Sequence, residues 1–288
     1  MTTPTTPTTP APEPVPASPR SKNRGLRIAL IVIGSVIIAG ILISSVVNIV
    51  MAMNRTDASG TYTVEEEFTS VDIEADISDV TVSFGDVGNA RIEFRQGDSA
   101  RNIAFSQQVN GDELSVKVLA RGGLWWPFGD GNFFGGDSPT LDIVLPEAMA
   151  DGSLDLALDA TAGDVNLDGE YAAMRIDLTA GNLDLTGSAT DLSIDSTAGN
   201  IDLDTMSAQT VDISSTAGDV RVDLATLPDE FEIASVAGNQ TVWLPEGDYD
   251  IDTDTTAGNV TVDVPSNPDA ALSYSFSSTA GNIEINER

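Results

Sequence analysis

Aspartate pairs at matching positions of a repeat are the residues of this sequence that could do chemistry. The chain has no histidine and no cysteine, so it lacks the commonest general base, nucleophile pairs and zinc ligands of proteins. Asp177 and Asp195 stand at one position of successive repeats, and Asp184 and Asp202 stand at another. Stacked carboxylates supply the hard oxygen ligands that Ca²⁺ prefers. These four aspartates are the candidate calcium ligands, although the glycine-rich nonapeptide of calcium-binding β-rolls is absent.

The same carboxylates could serve a polysaccharide-cleaving β-helix enzyme. Such an enzyme uses one carboxyl group as acid and another as base or nucleophile, and it needs their pKa values separated by withdrawing one of them from water. Here the acids alternate with apolar residues, so we expect them to face water. Few arginine, lysine or tyrosine residues accompany them. The sequence therefore predicts no catalytic residue and no cofactor, and a solvated acidic surface is the simplest interpretation of these positions.

Aromatic residues form a second candidate site. Five large aromatic side chains fall within ten residues of a chain that is only 6% aromatic, namely Trp125, Trp126, Phe128, Phe133 and Phe134. Glycines bracket the segment 122–136, and Pro127 prevents a regular strand. We predict a long hairpin loop. It either folds back as a plug over the β domain or presents a contact patch to a protein, a sugar ring or the bilayer surface.

Charge is distributed unevenly along the chain. Residues 56–288 contain 44 acids and 8 bases, whereas residues 1–55 contain one acid and five bases. An acidic surface repels phosphate groups, so we predict no nucleic-acid partner. A cation, a basic protein surface or a neutral glycan is compatible with this charge, and the oligomeric state is left open.

The N-terminal part has the composition of a tail followed by a membrane anchor. Residues 1–25 are rich in threonine and proline and are predicted to be a disordered cytoplasmic tail. Residues 26–53 are predicted to be a transmembrane helix, because positions 28–47 carry no charge and twenty helical residues span about 30 Å. A cleaved signal peptide, with its site near Ala52, is the alternative.

Basic residues define the orientation of this helix. Arg20, Lys22, Arg24 and Arg27 precede the apolar run, and only Arg55 follows it closely. The positive-inside rule then places the N-terminus in the cytoplasm. The linker 54–60 and everything after it are predicted to be extracytoplasmic, with the bilayer contacted through residues 28–47.

The repeat consists of Ala-Gly-(Asn/Asp) between short runs of alternating apolar residues. It recurs seven times, at spacings of 18, 18, 19, 20, 20 and 23 residues, on Gly163, Gly181, Gly199, Gly218, Gly238, Gly258 and Gly281. Glycine reaches positive φ without steric cost, and Asn or Asp completes a turn by bonding to nearby backbone. The flanking alternation is typical of strands with one buried face. The seven glycines are therefore predicted to form one corner that is repeated by stacking.

A single repeat cannot bury its apolar face, so we expect the repeats to stack on one another. We predict an all-β protein in which residues 151–288 form a parallel β-solenoid of about 18–20 residues per coil, right-handed like most parallel crossovers. Residues 61–150 are a degenerate version, with Ser78-Asp79 in place of Gly-Asn and a hairpin turn at Asn110-Gly111. We predict that this segment caps the solenoid.

At these residues the sequence resembles the bacterial adhesin-like families of β-strand repeats, including the one called head GIN. The resemblance covers residues 61–288 and rests on the Ala-Gly-(Asn/Asp)-apolar-x-apolar unit and on strands ending at Pro146, Pro245 and Pro265. It implies an extracytoplasmic β-helical fold on the cell envelope and implies no catalytic residues. We therefore expect a membrane-anchored, non-enzymatic module for adhesion, scaffolding or envelope sensing, with a protein or glycan partner. A glycan-active β-helix enzyme is the alternative.

Overall fold

Eighteen β-strands and one turn of 3-10 helix are the regular elements of this computed structural model, which describes residues 59–97, 103–120 and 138–288. The chain divides into residues 1–50 and 51–288, and every described residue belongs to the second unit. The predicted all-β class is confirmed. The predicted tail and membrane helix lie outside the described residues, and no helix within the described ranges is long and apolar enough to cross a bilayer.

The strands fall into an N-terminal and a C-terminal group. The first group is β1 (Gly60–Val64), β2 (Ser70–Ala75), β3 (Asp79–Gly85), β4 (Ala90–Arg95), β5 (Ile103–Asn110), β6 (Glu113–Ala120) and β7 (Thr140–Pro146), followed by the 3-10 turn Glu147–Met149. The second group is β8 (Asp155–Ala162), β9 (Val165–Ala180), β10 (Leu183–Ala198), β11 (Ile201–Ala217), β12 (Val220–Leu224), β13 (Glu230–Ala237), β14 (Gln240–Leu244), β15 (Tyr249–Ala257), β16 (Val260–Val262), β17 (Leu272–Ala280) and β18 (Ile283–Glu287).

Each coil of the β-solenoid has two sides, and in the seven repeats these sides meet at the Ala-Gly corner. The entry side leads into the corner and consists of β2, β6, β8, β13, β15, β17 and the C-terminal halves of β9, β10 and β11. The exit side leaves the corner and consists of β3, β7, β12, β14, β16, β18 and the N-terminal halves of β9, β10 and β11. Neighbouring coils pair in parallel and in register.

Equivalent apolar positions stack to form the core. Ile194 of the entry side lies opposite Ile176 and Ile213, and Leu185 of the exit side lies opposite Leu167 and Leu203. All six side chains are buried. The alternation seen in the sequence is therefore the alternation between core and solvent, as strand geometry requires.

Coil order departs from chain order at the C-terminal end, where a simple solenoid would stack its coils as they occur in the sequence. β13 and β14 pair with β17 and β18, and β15 and β16 pair with the outer edges of β17 and β18. The last coil in the sequence is thus inserted between two earlier coils. The spacing from Gly258 to Gly281, 23 residues, is the longest of the six, and it contains the connection that returns the chain.

A similar interchange occurs near the N-terminal end. β2 lies between β6 and β8, and β3 lies between β7 and β9. The remaining strands are antiparallel: β5 pairs with β6 through the predicted turn at Asn110-Gly111, while β4 pairs with both β7 and β1. Phe105 stacks on Tyr62 and Phe94, with ring centroids 4.9 and 5.0 Å apart. These rings give the end of the described stack an aromatic layer.

Candidate functional site

The corner column is the most regular feature of the surface. Six of the seven predicted corner glycines have φ between 134° and 153°, and Gly258 is the exception. A Cβ atom added at Gly181, Gly199 or Gly218 would overlap the carbonyl oxygen of the corner glycine in the neighbouring coil. The corners therefore stack so closely that only glycine fits them.

Asn and Asp side chains join these corners into a continuous ladder. Each Oδ1 atom accepts a hydrogen bond of 2.8–3.1 Å from the backbone N–H of the corner residue in the next coil. In spatial order the ladder consists of Asp79, Asp164, Asn182, Asn200, Asp219, Asn239, Asn282 and Asn259. The degenerate corner Ser78-Asp79 is thus its first member.

Replacing Asn200 by alanine is expected to destabilise the protein more than replacing Asn259. Asn200 accepts from Asp219 N–H and donates from Nδ2 to Asn182 Oδ1, whereas Asn259 takes part in the ladder through its backbone N–H. We expect a loss of about 1–2 kcal/mol for Asn200→Ala, at roughly 1 kcal/mol per hydrogen bond. Asn259→Ala should cost less than about 0.5 kcal/mol. Urea denaturation of the two variants measures the difference, and equal losses would contradict the terminal position of Asn259.

Carboxylates form a second column on the outer surface of the entry side. Glu74, Asp159, Asp177 and Asp195 lie opposite one another on β2, β8, β9 and β10. We call these four residues the acid column. Lys117 Nζ lies 2.7 Å from Glu74 Oε2 at one end. Arg175 bonds Asp177 Oδ1 at 3.1 Å and lies 3.8 Å from Asp195 Oδ2. The column is therefore only partly neutralised.

Burial raises the pKa of two members of the column. Partial withdrawal from water is the main cause for both Asp159 and Asp195, and the charge of Asp177 raises both pKa values further. Arg175 acts in the opposite direction on the pKa of Asp195. The charged form of Asp159 is therefore disfavoured in the folded protein.

Asp159→Asn is expected to stabilise the protein at neutral pH. A carboxyl group whose pKa is raised by folding contributes stability that is complete below its unfolded pKa, here 3.8, and that is lost as pH rises through the raised value. The variant lacks this loss. Its free energy of unfolding at pH 7 should exceed that of the wild type by less than about 1 kcal/mol, because the site is partly solvated. This difference should vanish near pH 3. Urea denaturation at both pH values tests this, with Asp263→Asn at an exposed position as the matched control.

A shallow groove of about 520 Å³ runs beside the acid column. Its lining includes small side chains from successive strands, Ala157, Ala173 and Ser193, together with Asp191 and Arg175. No aromatic residue lines it among those that the structure describes. Ala157 and Ser193 both lie opposite Arg175, and Ala173 lies opposite Asp191, so each small side chain of the lining has a longer one beside it.

The other predicted calcium pair lies on the exit side. Asp184 and Asp202 are directly opposite each other, and Arg221 Nε lies 3.8 Å from Asp202 Oδ1. Burial raises the pKa of Asp202, Arg221 lowers it and Asp184 raises it. Each predicted pair is thus in register, but the two pairs occupy different sides of the coil. Within residues 59–97, 103–120 and 138–288, no three acids gather as a metal-binding group.

The predicted aromatic patch, Trp125, Trp126, Phe128, Phe133 and Phe134, lies outside the described residues. The segment that carries it connects β6 and β7, which belong to one coil.

Sequence reasoning missed Glu74 and Asp159 as members of the acid column. A signal was present, since Glu74 precedes Ser78 by the same four residues that separate Asp177 from Gly181.

The stacked corners and in-register sides define a β-strand-repeat protein of the solenoid type. Residues 68–287 match the family described as Toastrack DUF4097, and the chain belongs to that family. No curated protein matches the chain.

The chain is similar to three solved structures at low identity. A candidate adhesin from Bacteroides fragilis is 13% identical, with 80% of this chain and 98% of that one covered and a TM-score of 0.45. A candidate lipid-binding protein from Parabacteroides distasonis is 11% identical, with 81% and 98% covered and a TM-score of 0.45. A candidate cell adhesion protein from Clostridium sporogenes is 12% identical, with 82% and 100% covered and a TM-score of 0.41.

Proposed function

We propose that residues 61–288 are a non-enzymatic binding module of the cell envelope, held at the membrane by residues 28–47. The observation that carries the proposal is the acid column, whose carboxylates are fixed in register on neighbouring strands. Adjacent strands lie about 4.8 Å apart, so the column offers negative charge at a constant interval. A partner protein with a row of basic side chains is complementary to it.

The partial burial of the column favours this role. An exposed ion pair contributes little to binding, whereas a charge that is already partly withdrawn from water gains more from a cationic partner. Burial disfavours the charged forms of Asp159 and Asp195, and a bound lysine or arginine would relieve that cost. The binding could serve adhesion, scaffolding or envelope sensing, because all three need a rigid surface rather than a reaction centre.

The groove bears on the alternative of a glycan-active enzyme. Such an enzyme is expected to combine clustered acids with aromatic side chains that stack on sugar rings. The groove has acids and Arg175 but, among the described residues, no aromatic lining. This composition favours the binding module over the enzyme.

The binding proposal can be tested with the full chain in detergent, by envelope-protein pull-down and on a glycan array. A triple variant, Asp159→Asn, Asp177→Asn and Asp195→Asn, should lose the partner that the wild type captures. The matched control carries Asp184→Asn, Asp202→Asn and Asp204→Asn on the exit side and changes the net charge equally. Equal loss in both variants would show that overall charge, rather than the column, binds the partner. Release of reducing sugar from a polysaccharide would contradict the non-enzymatic role.

Protease treatment of intact cells, or of spheroplasts where a wall intervenes, tests the membrane arrangement. The Arg/Lys residues before position 28 motivate the expectation that protease removes residues 61–288 and spares the N-terminal tail. A protected β domain with an accessible N-terminus would contradict the orientation. A secreted form that begins near Met53 would show that the apolar segment is a signal peptide.

A further inference from the structure

The outermost coil at the C-terminal end of the stack has an uncovered edge. Within the described part of the chain, β15 pairs only with β17, and β16 pairs only with β18. Val260 and Val262 of β16 are 39% and 36% exposed and are the exposed large hydrophobic residues among those described. Their counterparts in the adjacent coil, Ile283 and Ile285, are fully buried. The core thus continues into this coil and lacks a cover beyond it.

Backbone groups on this edge point away from the stack. The N–H of Ile251 donates to Ser266 Oγ at 3.0 Å, and the C=O of Tyr249 accepts from Asn267 N–H at 2.9 Å, so both groups point away from β17. Backbone direction alternates along a strand. The N–H and C=O groups of Thr253 and Thr255 therefore also point outward, beyond the part of β15 that Ser266 and Asn267 cover.

Side chains of β15 alternate in the same regular way. Ile251 and Thr253 lie opposite the buried Tyr274 and Phe276, so they occupy core positions. Asp252 and Asp254 occupy the intervening outward positions and are exposed. The edge therefore combines free hydrogen-bonding backbone, an apolar side and a negatively charged side.

We propose that this end of the solenoid binds an extended segment of a partner protein as an added strand on β15. In the bound segment apolar residues alternate with lysine or arginine. The apolar residues cover the exposed core of the last coil, and the basic residues lie beside Asp252 and Asp254, where cross-strand pairs of opposite charge are favourable. Main-chain hydrogen bonds to Thr253 and Thr255 provide the sequence-independent part of the affinity.

A second copy of this chain fits the edge less well. Pairing of two β15 strands would place Asp252 and Asp254 near the same residues of the partner copy, and like charges across strands are unfavourable. Acids on an edge also discourage pairing between identical molecules. Charge complementarity therefore favours a basic partner.

The peptide Lys-Val-Lys-Val-Lys-Val-Lys is a suitable probe for the full chain in detergent, followed by fluorescence anisotropy. Thr253→Pro removes an outward N–H that β17 does not use, and proline is tolerated on such an edge. We expect this variant to bind the peptide at least about tenfold more weakly. The double variant Asp252→Asn and Asp254→Asn should also bind more weakly, with a smaller dependence on salt. Its matched control is Asp184→Asn with Asp202→Asn, which should bind like the wild type.

Several outcomes would overturn the inference. Equal binding of a peptide with the same residues in blocks, four lysines and then three valines, would show that charge alone is recognised. Loss of binding in the triple acid-column variant, with the two edge variants unaffected, would place the peptide on the acid column and leave the proposed function intact. A dimer in sedimentation that Thr253→Pro dissociates would assign the edge to a second copy.

Discussion

Gly218→Val is expected to remove a large part of the stability of the β domain. Gly218 has φ of 135° and an added Cβ atom would overlap the carbonyl oxygen of Gly199. A β-branched residue at such a φ costs about 1–3 kcal/mol, and overpacking against a backbone that cannot move adds about 1–3 kcal/mol. A total loss of about 2–6 kcal/mol is a large fraction of the 5–15 kcal/mol typical of a folded domain. Urea denaturation followed by circular dichroism measures it.

Two further glycines separate the sources of this loss. Gly152 has φ of 74°, but no atom lies within 4 Å of an added Cβ, so Gly152→Val should show the strain alone. Gly258 has no positive φ, yet an added Cβ would overlap the Gly281 carbonyl oxygen, so Gly258→Val should show the overlap alone. Both are expected to lose less stability than Gly218→Val. A loss at Gly152 equal to that at Gly218 would mean that close stacking of the corners contributes nothing.

Local rules were sufficient to predict the corner and the strands around it. Gly and Asn have distinct backbone preferences, and alternation of apolar and polar residues identifies the buried side of a strand. Even the degenerate corner at Ser78-Asp79 follows from its position between two alternating runs, and its Asp79 carboxylate bonds Asp164 N–H at 3.0 Å. The in-register pairs of aspartates follow from equal repeat lengths.

The residues that form the second bend in the coils were not predicted. Gly169 and Gly187 have φ of 144° and 131°, and in the next coil Thr205 has φ of 55°. A threonine at positive φ is unfavourable. The residue type at position 205 therefore gives no sign that Thr205 is the third bend residue after Gly169 and Gly187. The acid column was recognised only in part, since Glu74 lies in the degenerate segment 61–150 and Asp159 lies in the first of the seven repeats, ahead of the corner at Gly163.

Coil order could not be predicted because the coils are nearly interchangeable. Each one presents alternating apolar residues of similar length, so the edge of β14 could accept either β16 or β18 by pattern alone. The order is determined by the connections and by packing, in which Phe231 contacts Tyr274 and Phe276 with centroids 5.8 and 5.1 Å apart. Such contacts between residues more than 40 positions apart have no local signature.

Disulfide cross-linking gives an all-or-none test of the interchanged order. Thr241 of β14 lies opposite Glu284 of β18, which lies opposite Thr261 of β16. Neighbouring strands are about 4.8 Å apart, within the Cα separation of about 4.4–6.8 Å that a disulfide requires. Positions two strands apart, at roughly 9.6 Å, exceed it. The natural chain has no cysteine, so introduced pairs have no competing thiols.

Thr241→Cys with Glu284→Cys is expected to oxidise almost completely, and Thr241→Cys with Thr261→Cys is expected to remain reduced. Stacking in chain order would reverse these two results, because β14 would then lie beside β16. Thr261→Cys with Glu284→Cys is the matched control, since the two strands are neighbours in either order and this pair should oxidise in both. Non-reducing electrophoresis before and after mild oxidation reads out all three variants. Cross-linking of the Thr241–Thr261 pair in the folded protein would refute the order and would place β18, rather than β16, at the end of the stack.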